Sequence, residues 1–168
     1  MKKEYGKSLR KLFDDLIIEV ANEYKPFKPT ESSFAGQKVY CSNKDEGPWR
    51  FIILSPSPTG ADEFTVEIGW SRLQRFSDLK MRPSFVKPAD AIKKEQEYLC
   101  RLPVLSMGKD YWWPVGEQLS LLKTDPLKAA IEGARKIPDE EALKTVTQVL
   151  RLVKKDLVEY GLPFLAKL

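Results

Sequence analysis

Leu9, Leu12, Phe13, Leu16, Ile17, Val20 and Tyr24 recur at steps of three and four, with charged residues between them. That spacing puts them on one face of an amphipathic helix running from about Tyr5 to Tyr24. Pro26 and Pro29 are expected to end it, because proline disfavours helix in the residue before it. The period then drops to two. Lys38–Ser42 and Trp49–Ser55 predict a hairpin around the polar turn Asn43–Pro48. After Ser55-Pro56-Ser57-Pro58-Thr59-Gly60 comes the most regular alternation in the chain: Phe64, Val66, Ile68 and Trp70 against Glu63, Thr65, Glu67 and Gly69. It predicts an antiparallel strand with one face in the core and the other in solvent.

Residues 71–96 carry Pro83 and Pro88 and no clear period, and are expected to form a long irregular excursion. Regularity returns at Glu97–Val104, a fourth strand. Thr124-Asp125-Pro126 predicts a capped helix start, with Leu127, Ala130, Ile131 and Ala134 turned inward over a helix reaching about Ile137. A final helix opens at Pro138-Asp139-Glu140-Glu141, acidic at its positive end, and buries Leu143, Val146, Leu150, Val153 and Leu157 before Gly161 caps it. Helix, strands, then helices is an α+β order. The expected architecture is one α+β domain over residues 1–168, with an antiparallel sheet of three to five strands packed on N- and C-terminal helices.

Composition narrows the chemistry. Among 168 residues there is no histidine. That removes histidine-based triads, Cys-His nucleophile pairs, histidine-containing zinc sites and proximal-histidine haem. No Gly-x-Gly-x-x-Gly or phosphate loop is present either. Cys41 and Cys100 are far apart and outside any Cys-x-x-Cys pattern, so they read as reduced thiols packed as small hydrophobes. No metal and no cofactor is expected. No apolar run reaches the roughly 18 residues of a membrane span. Arg10, Lys11, Asp14, Asp15 and Glu19 break the apolar segment that a signal peptide requires, so the expected setting is the cytoplasm, with no membrane contact.

The net charge of +4 is unevenly placed. Between Gly69 and Arg101 lie eight basic residues against four acidic ones, which accounts for the whole excess. Interleaved aromatic and basic residues there, namely Trp70, Arg72, Arg75, Phe76, Lys80 and Arg82, resemble a single-strand nucleic-acid surface. Two further constellations carry possible chemistry. Glu63 and Glu67 lie on one strand face, as acid–base pairs do, but their neighbours Thr65 and Gly69 offer no apolar pocket and favour a solvated outer face. Asp110-Tyr111-Trp112-Trp113, with Trp49, Trp70, Arg72 and Arg101, could line a stacking groove with anion contacts. The competing reading is packing. Adjacent Trp112 and Trp113 in extended chain must point to opposite sides, so one enters the core and the other covers a surface.

Phe64-Thr65-Val66-Glu67-Ile68-Gly69, the run from Cys100-Arg101 through Lys109-Asp110-Tyr111-Trp112-Trp113, and the ending Tyr160-Gly161-Leu162-Pro163-Phe164-Leu165 together resemble a bacterial family known only as a domain of unknown function. The resemblance implies an N-terminal helix, a phenylalanine-containing strand, a cysteine, an Asp-x-Trp-Trp segment and a closing helix that ends in Gly-Leu-Pro. Where the family pattern has a histidine after the cysteine this chain has Arg101, so no histidine role carries over. The resemblance supplies no activity. By analogy of fold it suggests an accessory or toxin-immunity protein.

These readings favour a non-catalytic domain that binds a protein partner through Asp110–Trp113. A nucleic-acid accessory protein built on the basic 69–101 segment is the second reading. A histidine-free enzyme or small-ligand binder using Glu63, Glu67, Asp110 and the tryptophans is the third. Association with a second copy of the chain is compatible with each.

Overall fold

A computed structural model of the chain describes residues 1–28, 36–43, 47–76, 86–116 and 124–168. The first helix, α1 (Lys3–Val20), buries Tyr5, Leu9, Phe13, Leu16 and Ile17. At its positive end the buried Asp62, in the bend just before Glu63, accepts the Lys2 N–H at 2.5 Å. The helix stops at Ala21, whose backbone leaves the helical range, well before the prolines. Ending there lets the chain reverse and bury Tyr24. Pro26 then lies at the centre of a short strand, β1 (Lys25–Phe27), paired antiparallel with β2 (Lys38–Ser42). A strand containing proline belongs on a sheet edge, where a missing N–H breaks no ladder.

β2, β3 (Trp49–Pro56), β4 (Glu63–Ser71) and β5 (Glu97–Arg101) follow as an antiparallel meander in the order β1-β2-β3-β4-β5. Among the described residues the chain is thus α+β, a six-stranded antiparallel sheet with N- and C-terminal helices packed on one face. The sixth strand, β6 (Trp113–Pro114), shares an edge of β4 with β5: β5 pairs with Glu67–Ser71, and β6 with Glu63 and Phe64. Between those two strands the chain detours through α3 (Leu102–Ser106), so the expected strand from Glu97 ends at Arg101 instead of Val104. The expected excursion at 71–96 contains a turn after β4 and α2 (Pro88–Lys94), a helix started by Pro88. Lys80 and Arg82 lie outside the described residues.

The strand β4 departs most from expectation. Phe64, Val66, Ile68 and Trp70 are fully buried beneath the helices, but the alternate positions are not solvated: Thr65, Glu67 and Ser71 are buried too. The second face of the sheet carries a smaller apolar cluster of Val39, Cys41, Phe51, Ile53, Phe76 and Leu99, edged by Phe27 and Trp49. The two cysteines therefore sit on opposite faces, Cys41 in this cluster and Cys100 in the main core. Both are free thiols, and burial pushes Cys41 up to about 11 and Cys100 up to about 12.

At the C-terminal end, α4 (Pro126–Ala134) starts as expected, with Asp125 accepting the Lys128 N–H at 3.0 Å. Its apolar stripe faces outward: Leu127 is 74% exposed and Ile131 64%, while Ala129 is buried. Polar contacts set this orientation. Lys2 Nζ donates to the Glu132 carbonyl at 2.6 Å, and the Arg135 guanidinium bridges Glu132 and Glu141. α5 (Asp139–Asp156) packs on α1 through Ala142, Val146, Leu150 and Val153, with Leu143 left outside. A π-helical turn at Leu157–Gly161 then runs straight into α6 (Leu162–Leu165). Gly161 is therefore not a left-handed cap. A Cβ there would sit 2.9 Å from Leu157 Cδ1 and 3.0 Å from Leu102 Cδ1, so glycine is present for close packing.

Candidate functional site

The detour between β5 and β6 brings Asp110, Tyr111 and Trp112 beside the polar half of β4. The β4–β5 register places Glu67 opposite Arg101. Across the other edge of β4, Ile53 faces Glu67 and Ser55 faces Thr65. The result is a polar strip on one sheet face. Ser55 Oγ donates to Glu67 Oε2 at 2.8 Å and accepts from Gln37 Nε2 at 2.8 Å. Arg101 Nε lies 3.9 Å from Glu67 Oε1, and Arg101 Nη1 donates to Asp110 Oδ2. Thr65 Oγ1 donates to the Tyr111 carbonyl at 3.3 Å, which ties the detour down.

Arg101 is the hub. Its guanidinium carbon stands 4.8 Å from the centre of the Trp112 ring, a cation–π stack. Its Nε is buried and has no hydrogen-bond partner among the described residues. Burial is the main reason the Glu67 carboxyl is raised above its ordinary value; the Ser55 hydrogen bond and the Arg101 charge pull the other way, and Asp110 adds to the rise. One guanidinium held between two carboxylates has no spare positive charge for a phosphate. An anion-binding role for Arg101 is therefore disfavoured by its own neighbours.

Four candidate residues from the sequence, Glu67, Arg101, Asp110 and Trp112, thus meet in one place. Others separate. Glu63 is two pleats along the strand, about 13 Å away by strand rise, and accepts from Ser57 Oγ at 3.0 Å in the turn before β4. It does not form a carboxylate pair with Glu67. Trp113 enters the core against Phe64, as adjacency to an outward Trp112 requires, and Tyr111 packs edge-on against it. Trp70 is wholly buried beneath the helices, stacked on Tyr98 at 4.8 Å and near Phe164 at 5.6 Å, so it lines no groove. Trp49 joins Phe27 and Phe51 in the aromatic cluster of the second face.

Arg72 is structural as well. It donates to the Glu95 carbonyl at 2.7 Å and the Ile92 carbonyl at 2.8 Å, stapling the C-terminal end of α2 to the sheet. Arg75 grips Glu97 through two bonds, and the same contact holds the Glu97 carboxyl below its ordinary value. Sequence reasoning missed Ser55, Thr65 and Gln37. The one signal for them was the β3–β4 hairpin register, which puts Ser55 on the same face as Glu67.

Among the described residues no group of three or more His, Cys, Asp or Glu side chains could hold a metal ion, and no helix is long and apolar enough to cross a membrane. Comparison of the chain with protein-family models, with curated proteins and with solved structures finds no match.

Proposed function

We propose that this chain is a non-catalytic binding domain that takes a protein partner on the surface formed by Trp112, Arg101 and Asp110. The observation that carries the reading is the partly buried Trp112 ring stacked on an arginine that two carboxylates already hold. Tryptophan and arginine dominate the energetics of protein interfaces, and a pair fixed before association loses little rotamer freedom on binding. The accessory or immunity-like role implied by the family resemblance is one version of this reading.

The nucleic-acid reading has less support. Arg72 and Arg75 direct their guanidinium donors to carbonyls and a carboxylate of the chain itself, and the charge of Arg101 is paired with Glu67 and Asp110. The enzymatic reading loses the Glu63–Glu67 pair to distance.

The deciding experiment captures partners of the tagged chain from a lysate of its source, with and without nuclease, in parallel with Trp112→Ala. A near-stoichiometric protein is expected with the wild type, resistant to nuclease and lost with the variant. Capture that is unchanged by Trp112→Ala would overturn the assignment of the surface, and capture abolished by nuclease would overturn the class of partner.

A further inference from the structure

The opposite margin of the sheet holds a cleft of about 490 Å³ between the C-terminal half of α1 and the edge strand β1. That lies inside the roughly 300–1,000 Å³ range of small-molecule sites. Its walls are mainly apolar, from Ile17 and Ile18 on α1, Pro26 and Phe27 on β1, and Val39 and Tyr40 on β2. Ile18 is 69% exposed, an apolar lip that the fold itself leaves uncovered.

The rim is cationic. Among the described residues, Lys25, Lys28 and Lys38 border the cleft against one carboxylate, Asp14. Asp14 is already committed, since it accepts from both Lys38 Nζ and Tyr40 Oη. Lys25 donates to the neutral Asn22 carbonyl at 2.5 Å, and among the described residues no carboxylate pairs with its charge. Two ammonium groups, Lys25 and Lys28, therefore stand beside an apolar channel. An added peptide strand fits poorly there, because Pro26 at the centre of β1 has no N–H to offer a ladder. A cationic ligand meets the wrong charge.

We infer that this cleft is a binding site for a single-chain amphiphilic anion, a free carboxylate with an unbranched apolar tail, whose tail lies along Ile18 and Pro26 and whose head meets Lys25 and Lys28. The site is remote from Trp112 and independent of the partner surface there.

The test titrates the full chain with decanoate, below its micellar concentration, followed by amide chemical shifts and calorimetry. Decyltrimethylammonium and decan-1-ol serve as tail-matched controls. Saturable one-site binding of decanoate is expected, with shifts centred on Ile18, Phe27 and Val39, and affinity at least about tenfold above that of decyltrimethylammonium. Ile18→Asp, at an exposed position that leaves folding intact, is expected to weaken decanoate by about tenfold or more. Lys25→Gln with Lys28→Gln is expected to weaken decanoate about fivefold, the scale of one or two surface ion pairs, and to leave decan-1-ol unchanged. The inference is overturned if decanoate does not saturate, if the ammonium analogue binds as tightly, or if Ile18→Asp leaves binding unaltered. It is equally overturned if only anionic lipid vesicles bind. Trp112→Ala is expected to leave decanoate binding as it was, so failure at this cleft and failure of the partner surface are read separately.

Discussion

The two faces of the sheet are both buried, yet they are built on different physics. The helix-covered face is apolar along β4, with Phe64, Val66, Ile68 and Trp70 packed beneath α1, α5 and α6. The second face is divided. One part is an aromatic cluster around Phe51, and the other is the Ser55–Glu67–Arg101–Asp110 strip, in which the buried Glu67 carboxyl is met by the Ser55 hydroxyl and the Arg101 charge, and Arg101 by the exposed Asp110. Burial alone therefore says little about role. What separates core from candidate site is whether the buried group depends on a partner from elsewhere in the chain.

The largest effects test whether the second face is a core at all. Trp70→Ala and Phe51→Ala, one from each face and both without solvent exposure, are each expected to lower unfolding free energy by about 3–5 kcal/mol in urea titration. If Phe51→Ala cost less than about 1 kcal/mol, the aromatic cluster would be a surface decoration and the comparison would fail. Next comes Gly69, which separates the two halves of the second face. A Cβ at this position would lie 2.1 Å from the Tyr98 carbonyl oxygen in the neighbouring strand. Gly69→Ala must push β5 away from β4, at an expected cost of about 1–3 kcal/mol. Unchanged stability would mean that β4–β5 pairing is looser than the register implies.

The sequence made the first face legible because period-two and period-3.6 patterns report apolar burial directly. The stripe on α1, the strand at Phe64–Trp70 and the cap at Asp125 need no distant partner to be recognised. The second face was misread for the opposite reason: Glu67 looks like a solvent position until Arg101 and Ser55 are known to adjoin it, and both adjoin it only through strand pairing. Pro26 was read as a breaker because edge position, which makes a strand proline acceptable, is a property of the whole sheet. Leu127 and Ile131 form a regular stripe, but Lys2, Glu132, Arg135 and Glu141 hold α4 by its other side. At the candidate site, Trp112 and Asp110 were visible as types, whereas their convergence on Arg101 was not.

Glu67→Gln sharpens the comparison through pH. Burial raises the Glu67 carboxyl above the ordinary value of 4.5. Below that value the group is protonated both folded and unfolded, and it has no effect on the pH dependence. As pH rises the unfolded chain ionises first while the folded state resists, so the wild type loses stability until the folded carboxyl has ionised as well. Glutamine has no such transition. The difference in urea midpoint is expected to move in favour of Glu67→Gln as pH is raised from 4 towards 8. A difference that stays constant would show that Arg101 and Ser55 offset the burial of this carboxylate in full.

Trp112→Ala is expected to be the mildest change for the fold, because its ring covers a sheet margin and fills no core. Loss of the stack on Arg101 is worth about 0.5–1 kcal/mol at a partly exposed site, a small shift in the urea midpoint. The adjacent Trp113, buried against Phe64, provides the internal contrast: Trp113→Ala is expected to destabilise on the scale of Trp70→Ala. Two neighbouring tryptophans with opposite sensitivities would separate packing from recognition within a single dipeptide. If Trp112→Ala instead unfolded the protein, the Arg101 hub would belong to the core, and the partner surface would have to be sought on another part of the molecule.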